Sequence, residues 1–505
     1  MSTPLDILID NPILVKHIRS RLRLAQLIPG LVAVLSICLV FSWATYASGS
    51  SGSWAVYVLS GIAWAILVLG GSNQVASAVG SAKESGILDF HRVSPVPAST
   101  LAVGFFLGAP IREYILFALM LPFLVLCGLV NGFGLMDVLF LVAPTILTAW
   151  VLHSLTMLVA LIAKNARSAS VGIIALLLIS LWIGNAVYGS YRGSRMIASG
   201  TETDPGGMDF FGIRLPTIAF LFIYEGAATL FLLIAATRKM RAERALPYSK
   251  PEALICMTTV ALLGLGAFWE VKETYWVVPT LLYIFVIAGC VLSSTVQPDL
   301  NEYAKGIRRA LRAGRRRPPV FSELASNAWA VYGLAGLVAL GASIASEVLE
   351  PGQAMGLPMS GNRFGRFAFS QSIAVGAFVV AYYGLGKQYF ALKFNRKGET
   401  YFRLFLFLIW VLPLLVGVAF GVASFGAKST QISMGVSPWA GMILSIKGLP
   451  STDADAADIV RFMALLPSLT LAFVFQFLLI NEQRRIDIAL RKAVKPQTTD
   501  LDVLT

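Results

Sequence analysis

The chain is a succession of apolar runs about twenty residues long, separated by short polar segments, and no other feature restricts its fold so tightly. In the hydrocarbon core of a bilayer no water pairs with free backbone N–H and C=O groups, so such a run must fold as a helix that satisfies its own hydrogen bonds. Runs of this kind fall at 29–46, 54–72, 111–130, 137–163, 169–189 and 215–237. Past a basic linker they recur at 253–270, 275–295, 328–346, 368–386, 404–424 and 461–481. The sequence therefore predicts an all-α integral membrane protein with about 12 transmembrane helices and no soluble domain. Composition agrees, because only 13% of residues are charged, against about a quarter in soluble proteins.

Lys and Arg are retained on the cytoplasmic side of short loops, so their placement orients the spans. With both termini inside, roughly 31 of the 40 basic residues face the cytoplasm, including Arg112 at the inner end of the third span. One span more or fewer would invert every later loop and destroy that bias. The net charge of +13 is thus a product of topology, and no nucleic-acid partner is implied. The segment before the first run includes Pro12 and is too long for a cleaved leader, so 29–46 is read as a retained span. The four cysteines lie inside apolar runs without close pairing, and His17, His91 and His153 are scattered, so no disulfide framework or metal site is expected.

The two sets of six runs share a rhythm: a helical pair, a long inner loop (73–110, then 296–327), four further crossings, and the longest outer segment before the last span (190–214, then 425–460). This predicts a 6+6 architecture. Its parts are an interfacial helix within 1–28, a six-helix domain at 29–237, a linker at 238–252, a second six-helix domain at 253–481 and a cytoplasmic tail at 482–505.

Three segments stand out as carriers of function. Asn11 and Pro12 read as an N-cap and first-turn proline of a helix with Lys16, Arg19 and Arg23 on one face and Leu14, Ile18, Leu22 and Ala25 on the other. Either an amphipathic helix on the inner leaflet or a plain basic anchor fits. The first inner loop sets Lys83, Glu84, Asp89, His91 and Arg92 around Ile87, Leu88 and Phe90, and Pro95 and Pro97 then end any helix. A short helix beneath the membrane with charges and apolar knobs can receive force from a soluble partner; a solvated connector is an equally simple reading. The run KGIRRALRAGRRR, 305–317, is the densest basic stretch, with Arg308, Arg309 and Arg312 beside Ile307 and Leu311. It suits anionic lipid or, by its position, a second soluble partner.

The stretch NPILVKHIRSRLR (11–23), a two-helix crossing and KESGILDFHRVSPVPASTLAVGFFLG (83–108) together resemble the membrane subunit of a type 2 ABC exporter, over roughly residues 11–237. The resemblance implies that the stretch with Glu84, Gly86, Leu88, Asp89, Phe90, Arg92 and Pro95 is a coupling helix docking in a groove of a separate ATPase subunit. It implies too that Asn11–Arg23 is the connecting interfacial helix, and that the chain lies in the cytoplasmic (bacterial inner) membrane. Phe105 follows Gly104 where many members carry lysine, and the second half shares only the rhythm of spans. Residues 437–448, apolar but too short to span, resemble the re-entrant outer segment of such exporters. An amphipathic surface helix fits them too.

A chain of this kind hydrolyses nothing itself. GVASFGAKST, 421–430, approaches a phosphate-binding loop, but Ala427 separates Gly426 from Lys428 and no strand precedes it. Inside the spans, where ionisable groups are costly, His153 and Glu225 are the most central; they could pair, line a path, relay protons or satisfy a neighbour. The resemblance thus implies a permease subunit that binds no cofactor, with ATP and Mg on a partner ATPase, membrane lipids around it, and a second copy or related permease as a further partner. A proton-coupled secondary transporter is the alternative.

Overall fold

The computed structural model describes residues 11–48, 53–163, 207–267, 277–348, 364–422, 434, 437–444 and 454–494. Apart from one short hairpin, the regular elements among them are helical. Among the described residues nine helices are long and apolar enough to cross a membrane, and ten crossings result if Thr280–Thr295 and Leu300–Arg312, bent by 60°, form one broken span. The chain is therefore a multi-span helical membrane protein. Twelve crossings in a 6+6 arrangement are not shown, for two reasons. The expected span at 169–189 lies outside the described residues, and the helix Phe364–Phe394, which covers the span expected at 368–386, is not among the nine.

The chain divides into two compact units, one of Met1–Met208 with Arg214–Pro247, the other of Asp209–Ile213 with Tyr248–Thr505. The first unit opens with α1 (Pro12–Arg21) and α2 (Leu24–Ser48). Next, α3 (Ser53–Trp64) runs through a π-helical turn, Ala65–Gly70, into α4 (Gly71–Glu84). Then come α5 (Ile87–Val93), α6 (Ala98–Gly108), α7 (Ile111–Val130) and α8 (Leu135–Ile162). A hairpin, β1 (Gly207–Phe210) and β2 (Ile213–Pro216), turns on Phe211 and Gly212, both at positive φ, and leads into α9 (Thr217–Arg241).

Two expectations need correction here. The stretch 73–110 is not an extended loop, because α4 carries the second crossing on as far as Glu84. Its sequence looks polar, yet Val75, Ala76, Ala78, Val79 and Ala82 share one face and are buried. The helix α1 ends at Arg21, so Ala25 falls in α2 and is exposed. Leu14, Ile18 and Leu22 are half-buried and Lys16, Arg19 and Arg23 exposed, while the residues buried most deeply are Asn11, Ile13 and His17, against α6. The approach is close because α6 carries Gly104 and Gly108 one turn apart: a Cβ on Gly104 would lie 2.7 Å from Asn11 Oδ1 and from Ile13 Cβ. Asn11 is the expected N-cap, accepting from the amides of Ile13 and Leu14 at 3.0 and 3.1 Å, and its Nδ2 also donates to the Thr100 carbonyl at 2.8 Å.

The second unit begins with α10 (Lys250–Ala267), α11 (Val277–Thr295), α12 (Leu300–Arg312) and α13 (Ala328–Val348). It continues with α14 (Phe364–Phe394), α15 (Gly398–Leu406), a π-helical turn at Phe407–Val411 and α16 (Leu412–Val422). The last elements are α17 (Pro438–Leu444) and α18 (Ala454–Val494). The expected tail from 482 is helical as far as Val494, so α18 extends well past the residues a bilayer requires. Trp410 and Tyr382 serve packing: Trp410 Nε1 donates to the Tyr382 hydroxyl at 2.6 Å. The short helix α17 is held on them, with Trp439 edge-on to Trp410 at 5.0 Å and its carbonyl accepting from the Tyr283 hydroxyl.

Candidate functional site

The helix α5 is built by its ends. Gly86, at φ 74°, turns the chain out of α4 at a position where an L side chain is strained. Ser94, extended at ψ 158°, precedes Pro95 and closes the helix, as the residue before a proline tends to. Of the four apolar residues on α5, only Leu88 points inward, 1% exposed in the cluster that holds Val79, Ala82, Leu101 and Met240. Ile87, Phe90 and Val93 are 37%, 67% and 83% exposed. Glu84, Asp89 and Pro95 stand exposed beside them.

Two cations bracket α5 and tie it to the ends of two long helices. Lys83 Nζ donates to the carbonyls of Leu161 and Ala163 at 2.9 and 2.6 Å, at the C-terminus of α8. Arg92 donates to the carbonyls of Lys239 and Met240, both at 3.3 Å, at the C-terminus of α9. The last carbonyls of a helix lack intrahelical partners and carry the negative end of its dipole, so a cation there is stabilising. Arg92 also pairs with Asp89 at 2.5 Å, which ties the exposed carboxylate to the same anchor. As a result α5 is tied to the end of α9 through Arg92, and α4, which leads into it, is tied to the end of α8 through Lys83. Beside it a cleft of about 420 Å³ is lined by His91, Arg92, Pro97, Ser99, Thr237 and Arg241. Burial and the nearby Lys16 lower the pKa of His91 below the ordinary histidine value.

The structure keeps the two central ionisable residues apart. His153 is fully buried, with Nε2 3.1 Å from the Leu67 carbonyl in the π-helical turn and Nδ1 3.3 Å from the Tyr114 hydroxyl. A carbonyl only accepts, so the proton sits on Nε2 and Tyr114 donates to Nδ1, which is the neutral imidazole. Gly71 makes room for the ring: a Cβ there would fall 2.4 Å from Nε2. Glu225 instead accepts from the Thr148 hydroxyl at 3.0 Å, and its second carboxylate oxygen is buried without a hydrogen-bond partner. Arg112 and Glu113 pair at 2.9 Å, with Glu113 buried.

In the second unit Arg308, Arg309 and Arg312 lie on the exposed face of α12, opposite the buried Tyr303, Gly306, Ile307 and Ala310. Lys250 is a residue whose role sequence reasoning missed. It is wholly buried, and its ammonium donates to the carbonyls of Val320, Ser322, Ala325 and Ser326 at 3.3, 2.8, 3.0 and 2.8 Å. The signal was a lysine directly before the Pro251 that opens an apolar helix, which counts only as an inward charge if topology alone is considered. The stretch 423–430, with the near-miss to a phosphate loop, lies outside the described residues, as do 445–448. No group of three or more His, Cys, Asp or Glu side chains suited to a metal occurs among the described residues.

Comparison with protein families, with curated proteins and with solved structures returns no match. No family is thereby identified.

Proposed function

We propose that this chain is the permease subunit of an ABC transporter, working as an exporter. A separate ATPase subunit binds ATP and Mg, docks on α5 from the cytoplasm and drives the opening of a path between two membrane halves. The observation that carries this reading is the combination at α5: three exposed apolar side chains on a helix that Arg92 ties to α9 and that follows a helix, α4, tied by Lys83 to α8. A solvated connector has no need of exposed Ile87, Phe90 and Val93, nor of two cations holding it rigid. An apolar knob rimmed by Glu84 and Asp89 is the usual make-up of a protein contact, a buried apolar centre with a polar rim. The type 2 exporter resemblance of 11–23 and 83–108 supports the same reading, and the twelve-span 6+6 plan belongs to it.

The test is retention of a nucleotide-hydrolysing subunit. The tagged chain, extracted in mild detergent from its own membranes, should carry ATPase activity with it. Glu84→Arg combined with Asp89→Arg should release that activity, and so should Phe90→Asp. If the wild-type chain retains no ATPase, or the variants retain it fully, the reading fails.

One observation favours a second reading, a proton-coupled secondary transporter: the unpartnered carboxylate oxygen of Glu225 inside a span. On that reading the purified chain alone would move protons into vesicles under a pH gradient, and Glu225→Gln would abolish the movement. Proton flux that survives Glu225→Gln removes it.

A further inference from the structure

The segment after α11 leaves the axis of its crossing by 60° and becomes α12, a helix with two unlike faces. Tyr303, Gly306, Ile307 and Ala310 pack into the unit. All seven basic residues between Lys305 and Arg317 are exposed, and no carboxylate interrupts them. Gly314, at φ 69°, turns the chain beyond the helix. The Arg315–Arg317 run then leads to Val320 and Phe321, which are 59% and 69% exposed.

Such a tip would be expected to be loose, yet its backbone is held. The buried ammonium of Lys250 gathers four carbonyls between Val320 and Ser326. Trp329 Nε1 donates to the Val320 carbonyl at 3.0 Å, and its ring packs edge-on to Phe321 at 5.2 Å. Arg491 of α18 donates to the Arg316 carbonyl at 2.9 Å. An internal lysine, a tryptophan and a neighbouring helix therefore fix a loop that projects two apolar side chains next to a dense cationic face.

We propose that the face made by Arg308, Arg309, Arg312, the Arg315–Arg317 run and the Val320–Phe321 tip binds the anionic headgroups of phospholipids at the membrane surface. The charge is complementary to lipid phosphates, and basic residues beside a span are attracted to an anionic leaflet. The fixed tip supplies apolar surface for the region just beneath the headgroups. Free phosphate would satisfy the cations and leave Val320 and Phe321 without a role. This inference is independent of the partner docked on α5.

The experiment uses the full chain in neutral maltoside micelles, with retained lipid counted by native mass spectrometry after adding phosphatidylglycerol or phosphatidylcholine. Phosphatidylglycerol should be preferred, and the preference should shrink as salt rises. Arg308→Gln, Arg309→Gln and Arg312→Gln together should weaken it by about fivefold per charge removed. The matching Lys substitutions should keep most of it, and Phe321→Ser should weaken retention of both lipids by a smaller factor. Equal retention of the two lipids, or unchanged phosphatidylglycerol in the Gln variant, overturns the proposal. Full displacement by inorganic phosphate would instead make this a free-phosphate site, and release of an acidic co-purifying protein with lipid retention intact would make it a protein dock. Either result overturns it.

Discussion

The surface helices α5 and α12 face the same physical problem and solve it with opposite faces outward. Each follows a membrane-crossing helix after a short break, and cations bound to backbone carbonyls hold the chain at each: Lys83 just before α5 and Arg92 within it, Arg491 and Lys250 on the segment that follows α12. On α5 the apolar residues Ile87, Phe90 and Val93 are outside and the cation Arg92 is drawn in, its side chain 15% exposed. On α12 the apolar residues Tyr303 and Ile307 are inside, and Arg308, Arg309 and Arg312 stand free of the core. Pinning is thus the shared device, and the exposed chemistry sets what each surface can meet: a soluble protein's apolar groove for α5, a charged surface for α12.

The comparison breaks most visibly at the pins. Lys250→Met would leave the carbonyls of Val320, Ser322, Ala325 and Ser326 without their donor, in a site shielded from water. Hydrogen bonds to charged groups contribute roughly 1.5–3 kcal/mol each, and the restored desolvation of the lysine offsets part of the sum, so a loss of about 3 kcal/mol is expected. A thermal melt of the detergent-solubilised chain reads the loss, and trypsin should cut faster in the Arg315–Arg317 run. If Lys250→Met melts with the wild type, the cage is not what fixes the tip. The corresponding change in the first unit, Lys83→Met, removes two carbonyl contacts from a half-buried lysine. Its cost should be about 1 kcal/mol, because water can reach the freed carbonyls. A Lys83→Met loss equal to that of Lys250→Met would erase the distinction between a buried and an open pin.

What could be foreseen in the sequence divides along the same physical lines. Spans were legible because twenty apolar residues have few alternatives in lipid, and the Asn11 cap and the Pro95 and Pro97 stop were legible because caps and prolines act locally. The extent of α4 was not, since the small residues of 73–84 look polar by hydropathy and are buried only by their neighbours. The residues that α1 buries most deeply, Asn11, Ile13 and His17, were not legible either, because their partner is the Gly104–Gly108 face of α6, far away along the chain. Gly86, Leu88, Arg92 and Pro95 could be singled out from residue type, whereas the partners of Lys83, Arg92 and Lys250 are backbone carbonyls, which carry no sequence signature.

A pH titration sharpens the contrast further, because all three histidines lie in the first unit and His17 is buried there. His17 stacks edge-on to Phe105 at 5.4 Å, and burial, then Lys16 and Arg21, push its pKa down from 6.5 to about 4. Between those values the unfolded chain binds more protons than the folded one, so stability rises with pH across that window and is level above it. Acidifying from pH 7 toward 4 should therefore lower the melting midpoint of the wild type by more than that of His17→Phe, which keeps the contact with Phe105. Parallel pH profiles for the two chains would show that α1 is not held by a neutral imidazole.

The smallest effect on stability is expected where the effect on function is expected to be largest. Phe90 is 67% exposed and Leu88 beside it is buried, so Phe90→Ser removes a side chain that the folded unit does not use. Exposed substitutions of this kind change stability by within about 0.5 kcal/mol, and the melting midpoint should stay where it is. Retained ATPase activity should nonetheless fall, because an aromatic anchor at the centre of an interface is the kind of residue that dominates binding energy. A variant that melts normally and still holds its ATPase would mean that α5 presents Phe90 to solvent alone. A variant that melts early would mean that Phe90 packs within the unit, and the opposition between an outward apolar face on α5 and an inward one on α12 would no longer hold.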